Sequence, residues 1–338
     1  MSTIKKIFKS YIVEARFTPL IASILVIVFR FLLFSYRGIP NYRFAETGFV
    51  WSYLAPYFEN EWVSFISSTV CVFLIAGFIS QINLHFGVIR ARTALPFVFP
   101  LILFSVHPIF LMMNSYYIGA IFVLWAFFPL LETHQRTNSR NFVFQGTVLL
   151  ALASVFEIYT LFFIPIWWIG YSRMGGFNFK MVFASLWGLI LVYWIVFAFF
   201  VFGDNLQGFI APFLYFARFD FHTIPAFTLP QWGFIGTSLI FLIAFLIMDF
   251  KYIRHDKVIT QKTISFIFVV IGLSLVFLAL YGEQSVMWIY IILAFESLIL
   301  SHLYSITTSN REIFSFFVLL LILIYYYLVN CLTEFSPF

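Results

Sequence analysis

Apolar runs long enough to cross a ~30 Å hydrocarbon layer recur along this chain, and its basic residues crowd into every second connection between them. Fifteen of the nineteen Lys and Arg residues fall in connections that would share one side of a membrane. No globular core could hide so many runs of this length. In lipid each run must satisfy its own backbone, which leaves helices as the expected form. The expectation is an all-α, polytopic transmembrane bundle of about eleven spans. The basic side is read as cytoplasmic, so the N-terminus is expected inside and the C-terminus outside a bacterial inner membrane.

Composition supports this reading. Of 338 residues, 63% are hydrophobic and 10% charged, against a charged share of about 25% in soluble domains. The net charge of +5 is spread along span ends, so it serves orientation and implies no nucleic-acid partner. Cys71 and Cys331 form neither a disulfide framework nor a metal-ligand spacing. Fifty Phe residues are read either as lipid-facing filling or as an aromatic groove for a long lipid chain.

The chain is read as one integral membrane domain, 1–338. Residues 1–17 place Ile4, Ile7, Phe8, Tyr11 and Ile12 opposite Lys5, Lys6 and Lys9, a basic amphipathic helix lying on the interface. Spans are expected at about 18–36, 62–84, 93–111 and 115–131, then at 181–202, 232–250, 263–281, 286–304 and 312–330. Residues 142–172 are too long for one span, yet basic residues flank both ends. Two short helices turning near Glu157 satisfy both constraints. The first external loop, 37–61, carries Phe44, Phe49, Trp51, Tyr53, Leu54 and Phe58, which suits an interfacial helix. The external segment 203–231 is aromatic in the same way. No internal repeat is evident, so the inverted-repeat sign of many transporters is missing.

Ionisable groups inside hydrocarbon are costly and are functional candidates by default. Arg30 and His107 lie in the outer halves of their spans, Glu157 at the outer turn, and Glu296 near the middle of its span. Each also has a plain structural reading. Arg30 could snorkel to the interface, His107 could be a neutral imidazole bonded to a neighbouring helix, and Glu157 could cap its turn in contact with water. Glu296 has only His302 nearby in sequence, at an unsuitable spacing. In the external loops, Glu46 follows the first span, and Arg43 and Arg218 sit beside aromatic residues. Cations there suit a lipid phosphate, while the plain reading is a solvated loop face. No phosphate loop, zincin helix or nucleophile elbow is present.

The order of these features resembles the membrane core of the GT-C superfamily, glycosyltransferases that use polyprenyl-phosphate-linked sugars. The resemblance covers residues 18–202. Its closest local similarity runs from Gln145-Gly146-Thr147 through Ala153-Ser154-Val155 to Leu161-Phe162-Phe163-Ile164-Pro165. It implies an external lipid-linked substrate and a carboxylate base in the first external loop. Where those enzymes carry paired acidic residues, this chain has Glu46 alone, between Ala45 and Thr47. One carboxylate is a poor divalent-metal site, so a divalent metal, though open, has little support, and no other cofactor is implied. The chain is also similar to uncharacterised bacterial polytopic inner-membrane families.

Three functions follow. A lipid-linked transferase would use Glu46 or Glu157 as base and Arg30, Arg43 or Arg218 on the phosphate. A transporter would use Glu296, Glu157, His107 and Arg30 as a pathway. A non-catalytic subunit or scaffold of an envelope-assembly complex would bind other membrane subunits. An external polar cavity holding lipid would favour the first. A cavity open to both sides would favour the second, and no polar cavity the third.

Overall fold

A computed structural model describes residues 8–40, 47–134, 136, 139–176, 178–217, 256–281, 285–306 and 309–332, with single positions between 233 and 253. Among them it is an all-α bundle. The principal helices are α1 (Thr18–Arg37), α2 (Glu61–Phe86), α3 (Leu95–Leu103), α4 (Ser115–Glu132), α5 (Arg140–Phe156) and α6 (Phe163–Gly175). They continue as α7 (Phe179–Phe202), α8 (Leu206–Leu214), α9 (Val258–Leu280), α10 (Ser285–Ile306) and α11 (Asn310–Leu332). Seven of them, α1, α2, α4, α7, α9, α10 and α11, are long and apolar enough to cross a membrane. The span expected at 232–250 lies mostly outside the described residues.

Helix starts follow local chemistry. Asn60, Asn114, Asn178 and Asn205 each cap the helix that follows, accepting backbone N–H groups of Trp62, Tyr117, Met181 and Gly208. An Asn side chain at this position satisfies a donor that the first turn leaves without a partner. Helix α2 ends on Gly87, which adopts the left-handed conformation at φ 60°.

Two connections depart from simple spans. The run 93–111, expected as one span, is broken. Helix α3 stops after nine residues, about 13.5 Å at 1.5 Å per residue. Irregular chain then leads through a short 3-10 turn, Pro108–Leu111, to α4. Pro108 is the cause, since the residue before a proline is pushed out of the helical region, and His107 is extended at φ −120°, ψ 137°. The stretch 142–172 folds as expected into two short helices, α5 and α6. They are joined by the extended Glu157 (φ −144°, ψ 104°) and the 3-10 turn Ile158–Phe162.

Near the N-terminus the described residues form one π-helical turn, Lys9–Val13. Phe8 and Val13 are buried and Tyr11 is 74% exposed, so Tyr11 leaves the apolar face expected for it. Phe8 packs edge-on against Phe316 of α11 at 5.2 Å. The first loop carries the short helix Trp51–Leu54 and a 3-10 turn, Ala55–Phe58. Helix α8 is the aromatic element expected within 203–231.

Burial sorts the helices. Helix α10 is the axis, with 94% of its most apolar stretch buried, against 22% for α7 and 28% for α1. One end of the bundle gathers basic residues and is called the basic end. There Lys262 donates to the Met174 carbonyl and Arg173 to Ser265, joining α6 to α9. Thr260 of α9 donates to the Val88 carbonyl.

Candidate functional site

Two buried polar junctions lie toward the end opposite the basic one. Arg30, thirteen residues into α1, is fully buried. Its guanidinium donates to the Phe104 carbonyl (2.8 Å), the Phe110 carbonyl (2.9 Å), Ser68 Oγ (2.9 Å) and Thr69 Oγ1 (3.1 Å). Both carbonyls belong to the broken stretch after α3. Neighbours complete the work. Ser68 donates to the Leu111 carbonyl, Tyr117 to that of Phe110, and Asn330 of α11 to that of Val106. Non-helical backbone at membrane depth survives only where protein or water meets its polar groups. Arg30 is thus a cap for a broken helix, held by neutral acceptors; it does not snorkel, and it forms no ion pair among the described residues.

The second junction is Glu157. It too is fully buried, with Thr47 Oγ1 donating to one carboxyl oxygen and Ser115 Oγ to the other at 2.9 Å. Three segments meet here: the first loop, the start of α4 and the end of α5. The loop is also tied by backbone bonds from Phe49 N–H (2.8 Å) and Val50 N–H (3.2 Å) to the Val155 carbonyl. Gly48 permits the contact, since a Cβ there would lie 1.9 Å from the Phe156 carbonyl oxygen. Glu157 makes no side-chain cap bond within its turn and is shut off from solvent; its carboxyl instead holds two hydroxyls from other segments.

An aromatic layer connects the two junctions. Tyr290 of α10 accepts from the Asn114 amide at 2.9 Å, and its ring meets Tyr117 edge-on at 4.7 Å. Outside Glu157, Phe49 from the first loop packs among Tyr193, Phe200, Phe209 and Phe213 of α7 and α8, at 5.6–6.0 Å.

The other candidates are dispersed. His107 Nδ1 accepts the Ile109 N–H at 3.2 Å and so starts the 3-10 turn. Glu296 is 5% exposed in the middle of α10 and makes no hydrogen bond or ion pair with a described residue. Arg43, Glu46 and Arg218 lie outside the described residues. No group of three or more His, Cys, Asp or Glu that could hold a metal occurs among the described residues.

At the basic end, buried Asp256 bridges Arg90 at 3.0 Å and the fully buried His302 at 3.1 Å. This cluster ties the α2–α3 connection and the segment before α9 to α10. It carries no local signal, because 46 residues separate Asp256 from His302. Compared with protein-family models, curated proteins and solved structures, the chain matches none.

Proposed function

We propose that the protein works at the external face of a bacterial inner membrane, its basic end cytoplasmic, as a GT-C-like transferase using a polyprenyl-phosphate-linked sugar. The observation that carries this reading is the Thr47–Glu157–Ser115 junction. It pins the first loop across the ends of α4 and α5, one residue from Glu46. With both oxygens of Glu157 engaged, the base is Glu46 and Glu157 is a positioning residue. Glu46 takes the proton from an acceptor hydroxyl as that oxygen bonds to the sugar. The bond from sugar to polyprenyl phosphate breaks, and the phosphate leaves with the electron pair against Arg43 or Arg218. The aromatic cluster around Phe49 takes isoprenoid carbons, each buried CH₂ contributing roughly 0.8 kcal/mol.

Glu46→Gln keeps shape and removes the base, so it abolishes sugar transfer while polyprenyl phosphate still binds. Full activity in that variant removes Glu46 from the role. If the purified protein binds no polyprenyl phosphate, the transferase reading fails. A second reading, a non-catalytic subunit of an envelope-assembly complex, is favoured by one observation. Arg30 and Glu157, the charges best placed for chemistry, are both buried and spent on holding backbone and loop. Stable co-purification with another membrane polypeptide, without polyprenyl phosphate binding, would support it.

A further inference from the structure

Helices α4 and α5 are joined at the basic end, and between them runs a groove of about 420 Å³. Its walls are almost wholly apolar, with Trp125, Phe128 and Pro129 on α4 facing Phe142 and Val148 on α5. The groove is independent of the junctions above and lies toward the opposite end of these helices from them. Gly146 creates it. A Cβ at Gly146 would lie 3.6 Å from the Pro129 ring and 2.2 Å from the Tyr171 hydroxyl, so the helix backbones close together below while larger side chains stand apart above. The groove faces away from the bundle, since Trp125 is 47% exposed and Gln145 is exposed.

Its mouth is charged. Glu132 closes it, accepting from Arg136 Nη2 (2.5 Å) and lying 2.9 Å from His85 Nε2. Arg136 also rests over the Phe142 ring, 4.7 Å from its centroid, and Arg140, the first residue of α5, is exposed one helical turn before Phe144 of the groove wall. Two guanidinium groups against one carboxylate leave the rim positive. An apolar slot that opens to lipid and ends on a positive rim at the interface matches an acyl chain joined to an anionic headgroup.

We infer that this groove is a binding site for one anionic glycerophospholipid of the leaflet at the basic end. One acyl chain lies along Trp125, Phe128 and Val148, and the phosphate meets Arg136 and Arg140. Arginine suits that contact because its planar fork bonds two phosphate oxygens at once.

The test is native mass spectrometry of the delipidated full chain with added phosphatidylglycerol or phosphatidylcholine of the same chains. One phosphatidylglycerol is expected to be retained in preference to phosphatidylcholine. Replacing both arginines (Arg136→Gln with Arg140→Gln) should lower that retention roughly tenfold or more, at ~1 kcal/mol per basic residue near an anionic surface. Val148→Trp, which fills the slot, should abolish it, and a photocrosslinker at Gln145 should capture the lipid in the wild-type background. Equal retention of both lipids with no effect of the arginine changes would mean an ordinary lipid belt and overturn the assignment. Capture of a polypeptide from Gln145 would overturn it in favour of a helix-docking groove. The Gln145 capture keeps the test decisive if Val148→Trp fails to fold.

Discussion

At Arg30 a full charge sits in a fully buried position with no carboxylate partner among the described residues, and four acceptors converge on its one planar group. Arg30→Ala would strand the Phe104 carbonyl, at ~1–3 kcal/mol when buried and unpaired, leave the Phe110 carbonyl with Tyr117 alone, and open a cavity besides. The expected loss is about 3–5 kcal/mol, of the size seen when buried charged networks are broken. Lysine supplies charge without the fork, so Arg30→Lys should recover only part of it. Arg37, whose hydrogen bond among the described residues runs from Nε to the Asn330 carbonyl, should tolerate alanine far better. Thermal unfolding in detergent would show this ordering, and equal tolerance at Arg30 and Arg37 would rule out the capping role. Sequence alone exposes Arg30 as unusual, because a charge within an apolar run is visible at a glance. Its partners are 74 and 80 residues away and leave no local trace.

At the scale of elements, the first loop depends on three small features acting together: Gly48 against the Phe156 carbonyl, Thr47 on Glu157, and Phe49 and Val50 on the Val155 carbonyl. Gly48→Ala forces a side chain into backbone, which cannot yield as a flexible side chain would. The loop should detach while the helices remain, because none of the helix-to-helix contacts passes through it. Limited proteolysis cutting within 47–58 far faster in Gly48→Ala than in wild type, with helical circular dichroism unchanged, is the expected result. An unchanged cleavage rate would mean that the loop is held elsewhere. Glu157→Gln should act in the same direction more mildly, since an amide accepts one hydroxyl through its oxygen but presents N–H groups to the other. The paired helices α5 and α6 are legible in the sequence from run length and flanking charge. The break after α3 has a visible marker in Pro108, but run length suggests a full span. Whether such a break is filled depends on side chains from α1, α2 and α11.

At the scale of the molecule, burial separates an axial helix from peripheral ones, and the order is not the order of hydropathy. Helix α10 is less apolar than α7, yet it is the buried one. In a membrane both lipid and protein are apolar surroundings, so hydropathy reports spanning and does not rank depth within the bundle. The orientation proposed above predicts a labelling pattern in a background with Cys71 and Cys331 replaced. A membrane-impermeant thiol reagent applied outside should reach Tyr57→Cys and Gln207→Cys and spare Arg140→Cys and Lys257→Cys until the membrane is opened. The reverse pattern would invert the protein, and outside labelling at Lys180→Cys would undo the pairing of α5 with α6.

By itself the sequence determined the helices and the alternation of basic connections. Both follow from the cost of bare backbone in hydrocarbon and from charge at span ends, which are properties of short stretches. Only the tertiary structure decided which polar groups meet. Arg30 found the Phe104 and Phe110 carbonyls, Glu157 found Thr47 and Ser115, and Asp256 found Arg90 and His302. Such pairings depend on how helices far apart in sequence pack side by side, and a packed bundle satisfies its buried polar groups from whichever neighbour lies within reach.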